Sequence, residues 1–283
     1  MTNATHALSP EQRQTYERDG YVVLPALFSA AELQAARDEA DRLADDLVNA
    51  SIALGRISPR LDLRRDAQGT VLLKIQPVGD ISTVFADLER DPRLLDPMRE
   101  LLGCEPVLLE EKLNGKERLA VDLDALGLRH WAPEFPWHTD MHYFYFDGYP
   151  DTTLSSAIAL DDCTEDNGPL RFIPGSHHKH DWPVRSEWPP DLAEGAVDDE
   201  LGVPLICPAG TVVVFHSRVV HASSPNRTAR PRRLIIYSHF PSTHEAEPDA
   251  RNRDLRAAGQ EHEREYADLL SDGGYEPVSV RLL

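Results

Sequence analysis

Apolar and polar positions follow two different periods along this chain, and the change falls near residue 105. Before it, the pattern is helical. Ser9-Pro10-Glu11-Gln12 offers an N-cap, a proline at the first helical position and a capping-box partner. The helix it predicts ends near Asp19-Gly20, and Tyr21-Val22-Val23-Leu24 then reads as a strand. Ser29-Ala30-Ala31-Glu32 is a second capping box, opening a long Ala-, Leu-, Glu- and Arg-rich helix that reaches roughly Asn49. A further helix is expected from Pro92 to Leu102, stopped by Gly103. Residues 1–105 are therefore expected to be helical around one short strand.

From Val107 onward, short apolar or alternating runs take over: Val107–Leu113, Trp137–Phe146, Leu154–Leu160, Leu170–Ile173, Thr211–Phe215 and Leu234–Tyr237. Turn-rich segments separate them, among them Asp161–Pro169, Pro174-Gly175-Ser176 and Ser223–Pro231. Strands at this spacing predict an antiparallel sandwich or barrel rather than βαβ units. A closing helix is expected over about 259–270. The expected organisation is mainly β with flanking helices: one domain over 1–283, its β-core at about 106–245. The stretch His180–Gly202, rich in Trp, Pro and acids, reads as a long insertion of the kind that covers active sites.

Composition narrows the function. With 283 residues, 41% of them hydrophobic, the chain can bury a sizeable core without disulfides or structural zinc. A net charge of −19 argues against nucleic acid and anionic membranes as partners, because phosphate binding needs a positive surface. Three scattered cysteines, Cys104, Cys163 and Cys207, argue against a disulfide framework or a cysteine metal site. Met1–Pro10 shows no signal peptide, and no apolar stretch approaches the ~20 residues needed to cross a bilayer. A cytoplasmic protein is expected.

The chemistry concentrates in Trp137-His138-Thr139-Asp140. On a strand, alternate positions face one way, so His138 and Asp140 are expected side by side. His221 is the candidate third ligand. Two imidazoles and one carboxylate hold divalent iron facially and leave positions for substrate and oxygen. Alone, an H-x-D pair in a chain with 12 histidines carries little weight. Arg232, at the start of the expected strand Arg233–Phe240, adds a planar, permanently charged fork suited to the far carboxylate of a dicarboxylate cosubstrate. A solvated basic loop of Arg227, Arg230, Arg232 and Arg233 is the competing reading. Alternation puts Arg232, Leu234 and Ile236 on one face and Arg233 on the other, and groups Glu110, Lys112 and Asn114 on one face of the preceding strand.

Together these motifs resemble the phytanoyl-CoA dioxygenase family. The resemblance rests on HTD at 138–140, Leu160-Asp161-Asp162-Cys163-Thr164-Glu165-Asp166-Asn167-Gly168-Pro169-Leu170, and Ile173-Pro174-Gly175-Ser176-His177. It extends to His221-Ala222-Ser223-Ser224-Pro225-Asn226 followed by Arg232, and to the opening Asp19-Gly20-Tyr21-Val22-Val23-Leu24. It implies a double-stranded β-helix (jelly-roll, cupin-like) core that uses iron(II), 2-oxoglutarate and oxygen. His138, Asp140 and His221 match the family's iron ligands, and Arg232 matches its cosubstrate arginine. Ser223, Asn114 and Lys112 match positions near the cosubstrate. Family members that halogenate carry a small residue where this chain has Asp140, so hydroxylation, desaturation or cyclisation is expected instead.

The substrate is expected to be a small molecule of specialised, natural-product metabolism, cationic or sugar-like (an amino sugar, for example), given acidic and aromatic groups at Glu134, Tyr143 and Asp147. The loop Lys179–Gly202 and the insertion Glu117–Pro136 are expected to line its pocket. Two rival classes stand beside the oxygenase: a cupin-like metal-dependent hydrolase or isomerase, and a non-catalytic small-molecule-binding protein.

Overall fold

The computed structural model describes residues 6–129, 131–132, 135–187 and 189–282. The chain opens with α1 (Pro10–Asp19), β1 (Tyr21–Leu24) and α2 (Ala30–Leu54). Both helices start on the capping boxes seen in the sequence, at Ser9/Gln12 and Ser29/Glu32. Then come β2 (Leu61–Asp66), β3 (Gly69–Ile75), α3 (Thr83–Glu89), α4 (Pro92–Leu102) and the long β4 (Pro106–Arg118). After α5 (Asp140–Phe144) follow β5 (Leu154–Ala159), β6 (Leu170–Phe172), β7 (Val203–Pro204), β8 (Val212–His216), β9 (His221–Ser223) and β10 (Leu234–Pro241). The helix α6 (Arg253–Ser271) closes the chain.

The strands form two antiparallel sheets, β1-β8-β5-β10-β4-β3-β2 and β7-β6-β9. Alternation along the central strands explains why both faces of the large sheet are buried. Val212 and Val214 of β8 and Ile235 and Tyr237 of β10 point to an outer layer with the helices. Val213, Phe215, Leu234 and Ile236 point inward, against Leu170 and Phe172 of the small sheet. The outer face is covered by α2, which buries Leu33, Ala36, Ala40, Leu43, Ala44, Leu47 and Val48 on one stripe at helical spacing. Each such leucine contributes on the order of 1.5–3 kcal/mol of burial. The inner space between the sheets, open at one end, is where the site lies. Strand spacing predicted an antiparallel sandwich or barrel, and this is the jelly-roll that the family resemblance implied.

Four expectations need correction. Residues 1–105 are not helical around a single strand: β2 and β3 form a hairpin that extends the large sheet through β4. Asn49 does not end α2, because its amide donates to the Asp45 and Val278 carbonyls and the helix runs on to Gly55, whose φ of +66° terminates it. The closing helix begins at Arg253, earlier than expected, because its N-cap, Asn252, makes no side-chain capping bond and so leaves no start signal. Finally, Trp137–Phe146 is not a strand. It makes one bridge at His138 and turns into α5 at Asp140. Among the described residues, no helix is long and apolar enough to cross a membrane.

Candidate active site

His138 and His221 meet across an isolated antiparallel bridge in which each backbone N–H donates to the other's carbonyl, at 3.0 and 2.9 Å. A directly opposed pair brings the side chains together, and the imidazole centroids lie 4.2 Å apart. Thr139 is the N-cap of α5, and Asp140 is its first residue. The helical turn, rather than strand alternation, swings the Asp140 carboxylate back: its Oδ1 lies 3.8 Å from His138 Nε2 and 3.7 Å from His221 Nε2. The three ligand atoms fall within 4.8 Å of one another, the one such cluster among the described residues.

Each side chain is held in a ligating posture. Nδ1 of His138 sits 2.7 Å from the Pro136 carbonyl and Nδ1 of His221 3.1 Å from that of Val219. A carbonyl only accepts, so both Nδ1 atoms carry a proton, and both Nε2 atoms face Asp140. Burial pushes His221 down to about 4, which keeps it neutral. Burial alone would raise Asp140, but the neighbouring His221 and Lys112 hold it below the usual carboxylate range. Its Oδ2 accepts a 2.9 Å bond from Ser155, which is bonded to Ser238 in turn. The Ser176 hydroxyl accepts from Val220 N–H at 2.8 Å, so the Pro174–His177 turn braces the approach to His221 and supplies no ligand.

The triad opens into a cavity of about 370 Å³ between the sheets. Lys112 and Asn114 from β4, Arg232 beside β10 and Ser223 on β9 all line it. Arg232 is 2% exposed, makes no hydrogen bond or ion pair among the described residues, and its Nε is buried without a partner. Burial pulls its pKa below the ordinary arginine value, the mark of a desolvated and uncompensated charge. Nearby Asn114 Oδ1 is also buried without a donor. Arg233 faces the other way and is saturated by Asp161 and Asp41, as alternation implied.

Residues 16–234 match the profile of the phytanoyl-CoA dioxygenase (PhyH) family. The chain belongs to that family. It is 30% identical over 258 residues, 84% of its own length and 77% of the relative's, to the ectoine dioxygenase of Bordetella parapertussis. It is 28% identical to the L-proline trans-4-hydroxylase of Streptomyces griseoviridis, covering 79% and 83% of the two chains. The crystal structure of EctD from S. alaskensis with 2-oxoglutarate and 5-hydroxyectoine superposes with a TM-score of 0.63 at 28% identity, covering 87% and 80%. The epimerase SnoN in complex with Fe3+, alpha ketoglutarate and nogalamycin RO gives 0.62 at 24% identity over 82% and 83%, a likeness of fold.

As a member of the phytanoyl-CoA dioxygenase family, the protein is an iron(II)- and 2-oxoglutarate-dependent oxygenase acting on a small molecule. Its residues fit both groups: two neutral Nε2 donors and a carboxylate suit iron(II), and an unpaired buried guanidinium suits a carboxylate. The hydrolase and passive-binding alternatives therefore fall away. Three features of this family member escaped the sequence. Lys112 is bonded to Glu110, which Arg251 also engages at 2.9 Å; burial opposes the Glu110 charge, yet Lys112 and Arg251 hold it at about 2. Arg251 comes from beyond β10, outside every motif. Tyr143 donates a 2.7 Å bond to Asp191 of the long loop, and Asp191 lines the cavity. His142 of α5 bonds Thr139, the N-cap of that helix, at 2.9 Å. Glu134 lies outside the described residues, and Asp147 pairs with Arg251.

Proposed function

We propose that His138, Asp140 and His221 hold the iron, and that Arg232 receives the distal carboxylate of 2-oxoglutarate with Ser223 and Asn114 completing the cradle. The unpaired, buried Arg232 is the observation that carries this reading. A buried guanidinium with no carboxylate in contact carries a free-energy cost, which a dicarboxylate relieves on binding. Lys112 is committed to Glu110, so in this reading it sets the field near the metal end and does not grip the cosubstrate directly. When bound, iron(II) with 2-oxoglutarate and oxygen supplies the power to break a substrate C–H bond. The chain's own residues do the rest. Ser155 and Ser238 keep Asp140 oriented, the two carbonyls fix the imidazole tautomers, and Phe215, Ile236 and Leu170 exclude water from the inner wall.

The substrate in this reading is a small, hydrogen-bond-donating molecule, cationic or sugar-like, from specialised metabolism, which is hydroxylated or oxidatively cyclised or desaturated. Asp191 supports it. Its Oδ2 is buried at the cavity wall without a hydrogen bond, the nearest cation being Arg185 at 3.9 Å. An ammonium or hydroxyl group satisfies such an oxygen. Relatives named for ectoine and L-proline also point to a small-molecule substrate. The free cysteines suit a reducing, cytoplasmic setting, and residues 1–283 act as one oxygenase unit.

Anaerobic optical titration of the iron(II) protein with 2-oxoglutarate tests the core of this proposal. A saturable visible band that is lost in Arg232→Met at matched cosubstrate concentration supports it. A band of equal affinity in the variant would move the anchor to another residue.

A further inference from the structure

Cys163 and Cys207, far apart in sequence, are direct partners in space. They form an isolated antiparallel bridge in which Cys163 N–H donates to the Cys207 carbonyl at 2.8 Å and Cys207 N–H donates back at 3.1 Å. That exchange places the two Cα atoms about 5.5 Å apart, inside the span of about 4.4–6.8 Å that a disulfide bridges. The Cys163 Sγ–H donates to the Asp161 carbonyl at 3.9 Å, and both cysteines are free. Both belong to the apolar cluster that carries Leu170, Phe215 and Ile236, three residues of the cavity wall. Two residues before Cys163, the Asp161 carboxylate accepts both the backbone N–H and the Nε of Arg233 at 2.9 Å. It thereby pins the chain where Arg232 enters the cavity.

We propose that Cys163 and Cys207 form a reversible oxidation site for a peroxide, whose closure to a disulfide weakens 2-oxoglutarate binding at Arg232. Cys207 is the more accessible of the two, 8% exposed against 2%, and reacts first. Its sulfur, having lost its proton, attacks one peroxide oxygen and breaks the O–O bond, giving a sulfenic acid and, with that proton, water. The Cys163 sulfur then displaces the hydroxyl, which leaves as a second water with the Cys163 proton. Two thiols and one hydrogen peroxide become one disulfide and two waters. Hydrogen-bonded cross-strand partners hold their Cβ atoms about 4.5–5.5 Å apart, whereas a disulfide wants about 3.8 Å. Closure must draw Asp161–Cys163 toward the chain before β8. The bond is strained and easily reduced, as a regulatory disulfide is, and the pull acts on the segment that fixes Arg233 and Arg232.

The coupling to Arg232 rests on the role proposed for it above; the disulfide itself does not. The test treats the full-length protein with hydrogen peroxide before iron loading, removes the peroxide, and loads iron(II) anaerobically. Denatured thiols should fall from three to one, and the intact mass should drop by two hydrogens. A Cys163–Cys207 peptide should appear, and dithiothreitol should reverse all three changes. The 2-oxoglutarate titration should weaken several-fold and recover on reduction. Cys163→Ala and Cys207→Ala should each block the effect, and Cys104→Ala should not. An unchanged thiol count, or oxygen adducts confined to Cys104, overturns the oxidation site. A disulfide that leaves the titration unchanged overturns the coupling. If Arg232→Met also binds 2-oxoglutarate normally, the assignment of Arg232 is what has failed.

Discussion

Two arginines are among the most deeply buried side chains of this protein, and their surroundings could hardly differ more. Arg60, just before β2, has a fully buried side chain and is saturated: it donates to the Pro77 carbonyl at 2.8 Å, to both Asp80 oxygens at 2.9 and 2.8 Å, and to Glu263 of α6. Even the backbone is adjusted to it, since a Cβ at Gly259 on α6 would lie 2.5 Å from Arg60 Nε. Arg232, equally hidden, has no partner at all among the described residues. The first is a structural clasp joining α6 to the β2–β3 hairpin and the turn that follows it. The second is an incomplete interaction, which the proposed function completes with the cosubstrate's carboxylate. Burial of a charge says little about function; the state of its partners separates the two cases.

The largest effect is expected on the Arg232 side. Asp140→Ala should remove iron binding and reduce turnover by a factor on the order of 10³ or more, with the melting temperature of the metal-free protein little changed. Metal analysis and cosubstrate consumption measure it, and retained iron would break the ligand assignment. Arg60→Met should act in the opposite way. Breaking a saturated buried cluster costs about 3–5 kcal/mol, read as a large fall in the denaturant midpoint, with 2-oxoglutarate affinity per folded molecule unchanged. Arg232→Met should weaken 2-oxoglutarate binding by roughly 100-fold, the scale of a lost charge-assisted bidentate contact, while the metal-free protein becomes no less stable. If both arginine variants were equally destabilised, the contrast would collapse.

Glu117 sharpens the comparison from between the extremes. It is buried, with Arg281 at 3.9 Å but with the like charges of Asp41 and Asp161 nearby. Burial, reinforced by those anions, pushes it up to about 7. A carboxyl raised above its unfolded value of about 4.3 keeps its proton in the folded state where the unfolded state has lost it, so stability falls as pH rises from about 4.3 toward 7. Glu117→Gln should therefore raise the melting temperature at pH 8, by the equivalent of roughly 1–3 kcal/mol, and do little at pH 4. An equal shift at both values would show that packing, and not charge, sets its effect.

Local signals announced many of the elements. Both capping boxes began helices where expected, α4 runs from Pro92 to Leu102 as its proline and glycine implied, and the alternation of β8 and β10 sorted residues correctly between two buried layers. The β2–β3 hairpin was missed because its pairing partner, β4, lies far along the chain. Trp137–Phe146 was misread because an aromatic-rich run suits a strand locally, whereas Thr139 caps a helix there. The motif thus grouped three residues that the structure brings together, although a helical turn, not strand alternation, carries Asp140 to the histidines.

By itself the sequence determined the candidate donor types, their order and several helix starts, because capping, alternation and donor type are properties of neighbouring residues. Tertiary structure alone decided which polar groups end with partners and which without. Arg60 and Arg232 both stand just before strands in the structure. Asp80 and Glu263 reach one, and nothing reaches the other. Likewise Cys163 and Cys207 read as scattered thiols until an isolated bridge between their segments sets them side by side. Satisfaction of a buried charge and pairing of two thiols depend on distances between segments remote in sequence, which only the packed sheets supply.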